Sequence, residues 1–299
     1  MSLQKLAHAE LRVTDLDAEV AFLTEVIGLQ IMHRDADRVF FGCGYDRNVD
    51  LILRAGGTGV ESFAVQVDSE ADLDHYAERL QAVGVAAPRL SDPIPDVEAG
   101  IGFDLPSGHR MELVLQRERD QDLQHPALGK FKPGYGGINP IDLDHITLRV
   151  EDIKGLSEFL ATNLDFVISE AVQTEPDRWV GAWTRVGDQH HDVAMRQKTA
   201  GSNETLDHLC WKLTSFEHLK VASDYFAQAG FKTETGPGRH GVGGNLYSYI
   251  WGPGGNRYEM TAEMARLVSR TAPTKIWTEL GGTFSAWGDT PPESFSKGS

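Results

Sequence analysis

The stretches SGHRMEL (residues 107–113) and GGNRYEM (residues 254–260) decide the fold. Both follow a proline, and both place Gly, Arg and Glu at the same relative positions. A tight turn that leads into a strand explains this composition, because Pro and Gly favour turns. Two such phrases can arise by chance, so a duplication has to show in the surrounding sequence as well.

The surrounding sequence repeats in the same order. HAELRVTDLDAEVAFLTEVIGL (residues 8–29) resembles HITLRVEDIKGLSEFLATNLDF (residues 145–166). SFAVQVDSEADLDHYAERLQAVGV (residues 62–85) resembles HLCWKLTSFEHLKVASDYFAQAGF (residues 208–231). Three matches in one order indicate a tandem duplication.

Each half of the chain contains the same pattern of elements twice. Alternating apolar residues indicate strands, and apolar residues at helical spacing behind a capping residue indicate helices. The pattern is that of a βαβββ unit, and the chain contains four of them. The predicted fold class is therefore α+β, with two tandem modules, each a curved mixed sheet around a cavity.

Composition shifts predict the module boundaries. Residues 1–135 form the first predicted module and residues 141–265 the second, with the Gly- and Pro-rich stretch at residues 129–142 as the linker. Residues 266–299 form a tail. Its aromatic residues predict packing on the body, and its last ten residues are predicted to be disordered.

Bulk properties exclude several classes of partner. The formal net charge of −16 argues against nucleic acid or an anionic membrane surface as a partner. The sequence has no apolar stretch long enough to span a bilayer and no signal-peptide core, which predicts a cytoplasmic location. Cys43 and Cys210 are interpreted as two buried thiols.

Three residues of the second half have the chemistry of a metal site. His145 and His208 each follow the dipeptide Leu-Asp at a predicted strand, and Glu259 lies in the repeated phrase. Two imidazoles and one carboxylate form the facial triad of a non-haem Fe(II) centre, which leaves coordination positions open. The same ligand set also accepts Mn(II).

The duplication supplies an internal control for this site. The first half has His8, Ser62 and Glu112 at the corresponding positions. One imidazole and one carboxylate make a weak metal site. The first module is therefore predicted to bind no metal and to serve as a scaffold.

The neighbouring motifs QHHDVAM (residues 189–195), GPGRHG (residues 236–241) and LYSYIWGPGGNRYE (residues 246–259) complete a recognisable set. Together with the triad they resemble the type I extradiol ring-cleaving dioxygenases of the vicinal oxygen chelate superfamily. The resemblance covers residues 6–264. It is greatest to the catechol 2,3-dioxygenase and homoprotocatechuate 2,3-dioxygenase branches.

The resemblance implies a function and roles for individual residues. It implies extradiol cleavage of a catechol by O2, with Fe(II) as the cofactor. His191 corresponds to the acid/base histidine, and its neighbour His190 fits that role less well. His240 corresponds to a histidine near the substrate oxygens, and Tyr249 to a tyrosine that hydrogen-bonds the bound diol. The resemblance also implies a homo-oligomer.

Departures from the family pattern narrow the substrate. Thr147 stands where the homoprotocatechuate branch has Asn, and Thr235 stands where it has an Arg that meets the substrate carboxylate. Without that guanidinium an anionic side chain loses its bidentate partner, which predicts a neutral catechol. Trp183 corresponds to a pocket tryptophan of one branch, although a core aromatic residue explains it equally well.

Two other functions stay open at this point. One is a different metal enzyme of the same superfamily, of the glyoxalase or epimerase type, which usually takes ligands from both modules of a pair. The other is a non-catalytic protein of this fold that binds a small molecule. Ser62 argues against the first alternative, and the complete triad argues against the second.

Overall fold

The computed structural model describes residues 3–44, 48–91, 93–117 and 136–299. The first module contains one seven-stranded mixed sheet, in the order β2-β3-β4-β1-β5-β7-β6. Its elements are β1 (Leu3–Val13), α1 (Leu16–Ala21) with a π-helical continuation (Phe22–Ile27), β2 (Gln30–Arg34), β3 (Arg38–Gly42), β4 (Leu51–Ala55), β5 (Val60–Val67), α2 (Glu70–Ala82), β6 (Val97–Asp104) and β7 (Arg110–Gln116).

The second module and the tail share a nine-stranded mixed sheet. Its elements are β8 (Asp142–Val150), α3 (Ile153–Leu164), β9 (Val167–Glu175), β10 (Arg178–Arg185), β11 (Val193–Gln197), β12 (Leu206–Lys212), α4 (Phe216–Gln228), β13 (Thr235–Arg239), β14 (Leu246–Trp251) and β15 (Arg257–Ala262). The tail adds β16 (Lys275–Trp277), α5 (Gly281–Phe284) and a 3-10 helix (Glu293–Ser296). The strand order is β13-β14-β15-β12-β8-β11-β10-β9-β16.

The predicted α+β class is confirmed, and three of the four units have the full βαβββ order. In the second unit, the described residues form only β6 and β7 after the helix, together with an isolated bridge between Arg89 and Ile101. The neighbouring Pro88 explains the difference, because proline cannot donate a ladder hydrogen bond.

The hydrogen-bond register shows the duplication at the level of single residues. In the second module Cys210 of β12 pairs with His145 of β8 and Glu259 of β15. In the first module Ala64 of β5 pairs in the same way with β1 and β7, opposite His8 and Glu112 respectively. The two sheets therefore present equivalent positions at their centres.

Both modules contain β-bulges at equivalent places. The extra residues in the β8–β12 pairing are Asp144 and Asp207, each directly before a histidine. The corresponding extra residues in the β1–β5 pairing are Ala7 and Glu61. A bulge bends its strand and re-aims the local side chains, so these four positions control which groups reach the centre of each sheet.

The two modules are joined by buried polar contacts as well as by a continuous hydrophobic core. Glu19 of α1 accepts hydrogen bonds from the Gly254 amide (2.6 Å) and the Tyr258 hydroxyl (2.5 Å). The Asn256 side chain bonds both the Gly59 amide and the Arg12 carbonyl. The first module therefore holds the β14–β15 turn that precedes Glu259.

The end of the tail contacts the second module, and the disorder predicted for its last ten residues stays a prediction. Phe295 is only 4% exposed. The Ser299 carbonyl accepts hydrogen bonds from the amides of Thr205 (2.8 Å) and Leu206 (2.9 Å). The main chain of the tail therefore supplies acceptors that hold its end against this module.

The module boundaries themselves stay a prediction. The first sheet ends at Gln116 and the second begins at Asp142, whereas the boundary at residue 135 and most of the expected linker lie outside the described residues. No helix of the described part of the chain is long and apolar enough to cross a membrane.

Candidate metal centre

Three adjacent strands, β8, β12 and β15, bring the predicted ligands together. His145 Nε2 lies 3.1 Å from Glu259 Oε2 and 3.2 Å from His208 Nε2, and His208 Nε2 lies 3.0 Å from the same carboxylate oxygen. All three side chains are buried. Two imidazole nitrogens and a carboxylate that converge on one point form a donor set suited to a divalent transition metal.

An aspartate contacts the other ring nitrogen of each candidate ligand histidine. Asp144 Oδ1 lies 2.7 Å from His145 Nδ1, and Asp207 Oδ1 lies 2.6 Å from His208 Nδ1. A carboxylate accepts the Nδ1 proton and leaves Nε2 bare, which is the tautomer that a metal requires. The Leu-Asp-His phrase occurs twice in the sequence, but nothing in the phrase itself indicates this role for its aspartates.

Three arginines keep Asp207 ionised. Arg149 and Arg196 lie 2.6 and 3.2 Å from Asp207 Oδ2, and Arg257 lies 3.6 Å from Oδ1. Burial alone would raise the pKa of Asp207, but Arg196, His208 and Arg149 together hold it well below its usual range. The carboxylate behind His208 is therefore a permanent hydrogen-bond acceptor.

A second group of donor atoms, from Asp144, His145 and Cys210, lies beside the triad. Burial and the nearby Glu259 raise the pKa of the Cys210 thiol well above its usual range. A metal binds the thiolate rather than the thiol. The triad with Glu259 is therefore the better metal site.

The predicted acid/base histidine lies next to the triad. The His191 ring lies 4.2 Å from the His145 ring, measured between centroids. Burial, together with the neighbouring His145, lowers the pKa of His191 well below its usual range. His191 is therefore a neutral imidazole at neutral pH, and a neutral imidazole can accept a proton.

His240 and Tyr249 form a hydrogen-bonded pair beside His208 of the triad. The Tyr249 hydroxyl lies 2.9 Å from His240 Nε2, and His240 Nδ1 lies 2.6 Å from the Phe284 carbonyl. Because the carbonyl can only accept, His240 donates from Nδ1, and the Tyr249 hydroxyl donates to Nε2. Burial and Glu259 raise the pKa of Tyr249 well above its usual range, so it stays a phenol.

These residues line a cavity of about 350 Å³. Its remaining walls are largely apolar and aromatic. They include Val172, Val180, Trp183, Val242, Leu280, Phe284 and Phe295. A volume of this order suits a small aromatic molecule.

Two of the three predicted pocket residues line the cavity, and the third does not. Trp183 and Thr147 line the cavity, and the Thr147 hydroxyl lies 3.0 Å from His208 Nε2. Thr235 does not line it. This residue pairs with Tyr249 through the β13–β14 ladder and therefore stands behind the site.

Sequence reasoning missed the contribution of the tail to this cavity. Leu280, Phe284 and Phe295, here called the tail wall, are among the residues that line it. Aromatic residues after the last predicted strand were the available signal, but they indicated only that the tail docks on the body.

Comparison with known proteins decides the family. A family model described as the Glyoxalase/Bleomycin resistance protein/Dioxygenase superfamily matches residues 142–260. A second, described as the catechol 2,3-dioxygenase-like N-terminal domain, matches residues 60–118. The metapyrocatechase of Geobacillus stearothermophilus is 25% identical over 303 residues, covering 97% of this chain and 91% of the relative.

A solved structure supports the same assignment. The 2,3-dioxygenase LapB from Pseudomonas sp. KL28 is 27% identical, has a TM-score of 0.83, and covers 92% of this chain and 98% of its own. The two family models and these relatives together support a type I extradiol dioxygenase of the vicinal oxygen chelate superfamily. Another relative is the manganese-dependent 2,3-dihydroxybiphenyl 1,2-dioxygenase of Geobacillus genomosp. 3, which is 26% identical and covers 86% of this chain and 84% of the relative.

The first module of this extradiol dioxygenase has a different group of side chains at the equivalent place. His8 Nε2 lies 3.8 Å from Glu112 Oε2, and Ser62 takes the position of the second imidazole. The bulge residue before His8 is Ala7, so His8 has no carboxylate from that position. The scaffold role of this module stays a prediction, and these contacts give its physical basis.

Proposed function

We propose that this dioxygenase opens the ring of a neutral catechol beside its diol, with Fe(II) held by His145, His208 and Glu259. The observation that carries the proposal is the buried triad at the base of an apolar cavity, next to His191 and Tyr249. The reaction adds both atoms of O2 to the catechol and gives a ring-opened product of the hydroxymuconic-semialdehyde type.

A divalent metal in the triad would lower the pKa of the diol hydroxyls and relay electrons between the diol and O2. His191 would accept a proton from one diol hydroxyl and return it to the ring-opened product. Its buried, neutral imidazole and its place on the cavity support this role.

Tyr249 and His240 would orient the diol. The Tyr249 hydroxyl donates to His240 and keeps a lone pair that can accept a hydrogen bond from a diol hydroxyl. The Phe284 carbonyl fixes His240 in the tautomer that accepts from Tyr249. Pre-organised partners of this kind hold a substrate near its reactive geometry.

The electrostatics of the cavity favour a substrate without a carboxylate. Arg149 and Arg196 are the two arginines that line it. Both are paired with Asp207, and Arg149 also donates to the carbonyls of Phe295 (3.2 Å) and Lys297 (2.9 Å). A substrate anion would have to compete with these buried partners, whereas an apolar substituent packs on the tail wall.

A substrate panel tests this proposal. The purified protein, loaded anaerobically with Fe(II), is mixed in air with catechol, 3-methylcatechol and 2,3-dihydroxybiphenyl, and with 3,4-dihydroxyphenylacetate as the anionic comparison. We expect a yellow product that bleaches in acid, one O2 consumed per catechol, and kcat/KM at least about 10-fold higher for neutral substrates, as the loss of a charged partner predicts. Equal or better turnover of the carboxylated substrate would refute the neutral-substrate assignment.

The metal is tested separately. Protein stripped with a chelator is reloaded with either Fe(II) or Mn(II), and activity is normalised to the bound metal. Higher activity with Fe(II) supports the proposal. Activity with Mn(II) alone contradicts the Fe(II) assignment and leaves the reaction class intact, because the ligand set accepts both metals.

A homo-oligomer is also proposed, and light scattering after size-exclusion chromatography measures the number of subunits. A monomer in solution would overturn this part of the proposal without touching the chemistry of the site.

A further inference from the structure

A line of buried polar groups runs from the tail to the acid/base histidine. Glu170 of β9 receives a hydrogen bond from Trp277 Nε1 of β16, and its Oε1 lies 3.2 Å from His190 Nε2. His190 Nδ1 lies 2.9 Å from His191 Nδ1. His190 is only 1% exposed; its Nδ1 is hydrogen-bonded to His191, whereas its Nε2 lies within ion-pair distance of Glu170 without a regular hydrogen bond.

The Glu170 carboxylate can act only as a hydrogen-bond acceptor in this line of polar groups. Burial opposes its ionisation, but the contacts with His190 and Trp277 lower the pKa of the Glu170 carboxyl below its usual range. Lys275 adds a positive charge 3.6 Å from Oε2. The negative charge of Glu170, 3.2 Å from His190 Nε2, therefore favours a proton on that nitrogen.

The donors and acceptors then follow in order. In the tautomer that carries its proton on Nε2, His190 presents a bare Nδ1 and accepts a hydrogen bond there. The two Nδ1 atoms are 2.9 Å apart, and one of them must carry the hydrogen. His191 therefore carries its proton on Nδ1, which leaves His191 Nε2 bare.

The surrounding chain fixes the His190 ring. The Ser169 hydroxyl donates to the His190 carbonyl (2.7 Å), and the His190 amide donates to the Ala265 carbonyl (2.9 Å). Gly243 packs on the ring so closely that a Cβ there would lie 2.9 Å from His190 Nδ1. The ring therefore cannot turn away from His191 without moving the neighbouring loop.

We infer that His190 and Glu170 are positioning residues that fix His191 in the tautomer with a bare Nε2, the form that accepts a proton from the substrate. This inference rests on the proposed function for its consequence in turnover. Its structural content, the tautomer of His191, does not depend on which reaction the protein performs.

A double-substitution experiment tests the catalytic consequence. His190→Phe removes the acceptor for His191 and keeps a ring in the space, and we expect kcat to fall about 10-fold to 100-fold, as for other supporting partners of site residues. KM for the catechol and the bound metal should stay within about 2-fold of the parent protein, because neither the cavity wall nor a ligand changes.

The decisive comparison is made in a His191→Phe background. If His190 acts through His191, adding His190→Phe there changes kcat by less than about 2-fold. The same 10-fold to 100-fold loss in both backgrounds would assign His190 a merely structural role and overturn the inference. Glu170→Gln keeps the shape of the side chain and should give part of the loss, so the test survives if His190→Phe does not fold.

A matched control is His8→Phe, the same substitution of a buried histidine in the other module. It should leave kcat and metal content within about 2-fold of the parent, because His8 is remote from the line of polar groups.

A readout independent of turnover completes the test. Nitrogen-15 NMR of histidine-labelled protein, loaded with diamagnetic Zn(II), distinguishes protonated from bare ring nitrogens, and the His191 signals are assigned by their loss in His191→Phe. We expect a proton on Nδ1 in the parent and its transfer or mixing in His190→Phe. A His191 tautomer that does not respond to His190→Phe would contradict the inference. If no catechol is turned over, the proposed function fails while this spectrum still decides the tautomer.

Discussion

At the residue scale, the candidate metal site depends on side chains one position before its candidate histidine ligands. Asp144 and Asp207 are the extra residues of two β-bulges, and each bulge lets the aspartate reach the histidine that follows it. In a regular strand, consecutive side chains would point to opposite faces of the sheet. The sequence shows the Leu-Asp-His phrase, but a bulge depends on the partner strand and cannot be read from either strand alone.

Replacing a ligand should remove the metal and the activity together. We expect His208→Ala to lower both the metal content and turnover at least about 100-fold, since one imidazole and one carboxylate remain. Metal analysis and the catechol assay measure the two effects. The control is His33→Ala, which removes an exposed histidine of β2 and should change neither. Retention of full metal by His208→Ala would remove this residue from the ligand set.

Restoring the missing imidazole in the first module should not create a second site. Ser62→His would place a histidine near His8 and Glu112, but Ala7 stands at the bulge position equivalent to Asp144. Without that carboxylate the His8 tautomer and ring orientation are not fixed. We expect metal content to stay at one ion per chain after dialysis. Two ions per chain would show that three ligands suffice.

At the element scale, the duplicated strand order could be predicted, and so could the three strands that carry the triad. Repeated phrases report which segments are equivalent, and alternation reports strands. Among the described residues, the second unit has only two strands after α2. The sequence did not show this, because apolar and polar residues still alternate in the Pro-rich stretch before β6. The sequence also did not show that Thr235 lies outside the cavity lining, because its position depends on pairing with β14.

Asp192, in the loop before β11, should make the free energy of unfolding fall as the pH rises. Asp192 is buried, and its Oδ2 accepts a hydrogen bond from the Val186 amide (2.8 Å). Burial raises the pKa of Asp192 from 3.8 to about 6. A raised pKa means that this residue favours the folded state below pH 4 and that this contribution is lost as the pH rises through 6.

Asp192→Asn should abolish this dependence. Between pH 4.5 and 7, the free energy of unfolding of the variant should gain about 2 kcal/mol relative to the parent protein. Urea denaturation of chelator-treated protein at both pH values measures the difference and excludes effects of metal binding. A constant difference across this range would mean that Asp192 titrates normally.

At the scale of the whole molecule, the tail both lines the cavity and attaches to the second module through hydrogen bonds, an attachment here called the latch. The tail wall lines part of the cavity. Main-chain carbonyls of the 3-10 helix and the residues after it accept hydrogen bonds from Arg149 and Arg257, which also surround Asp207. Composition predicted that the tail docks but could not predict this role, because carbonyl acceptors carry no sequence signature.

Two variants should separate the contribution of the Phe295 ring to substrate binding from the contribution of the tail carbonyls to stability. Phe295→Ala keeps the carbonyls and removes a ring, so we expect KM for an apolar catechol to rise about 10-fold with unchanged metal content. Deletion of residues 293–299 also removes the carbonyl acceptors, and we expect a further loss of thermal stability and of metal. Equal melting temperatures and equal metal contents of the two variants would show that the tail carbonyls do not stabilise the protein.

The position of the tail also has a consequence for biosynthesis. The last candidate ligand, Glu259, is translated 36 residues before Phe295, which corresponds to about 2–7 s at ordinary elongation rates. The ribosome therefore makes all three candidate ligands before it makes Phe295. During that interval the nascent chain contains every candidate donor but lacks one of the rings that line the cavity.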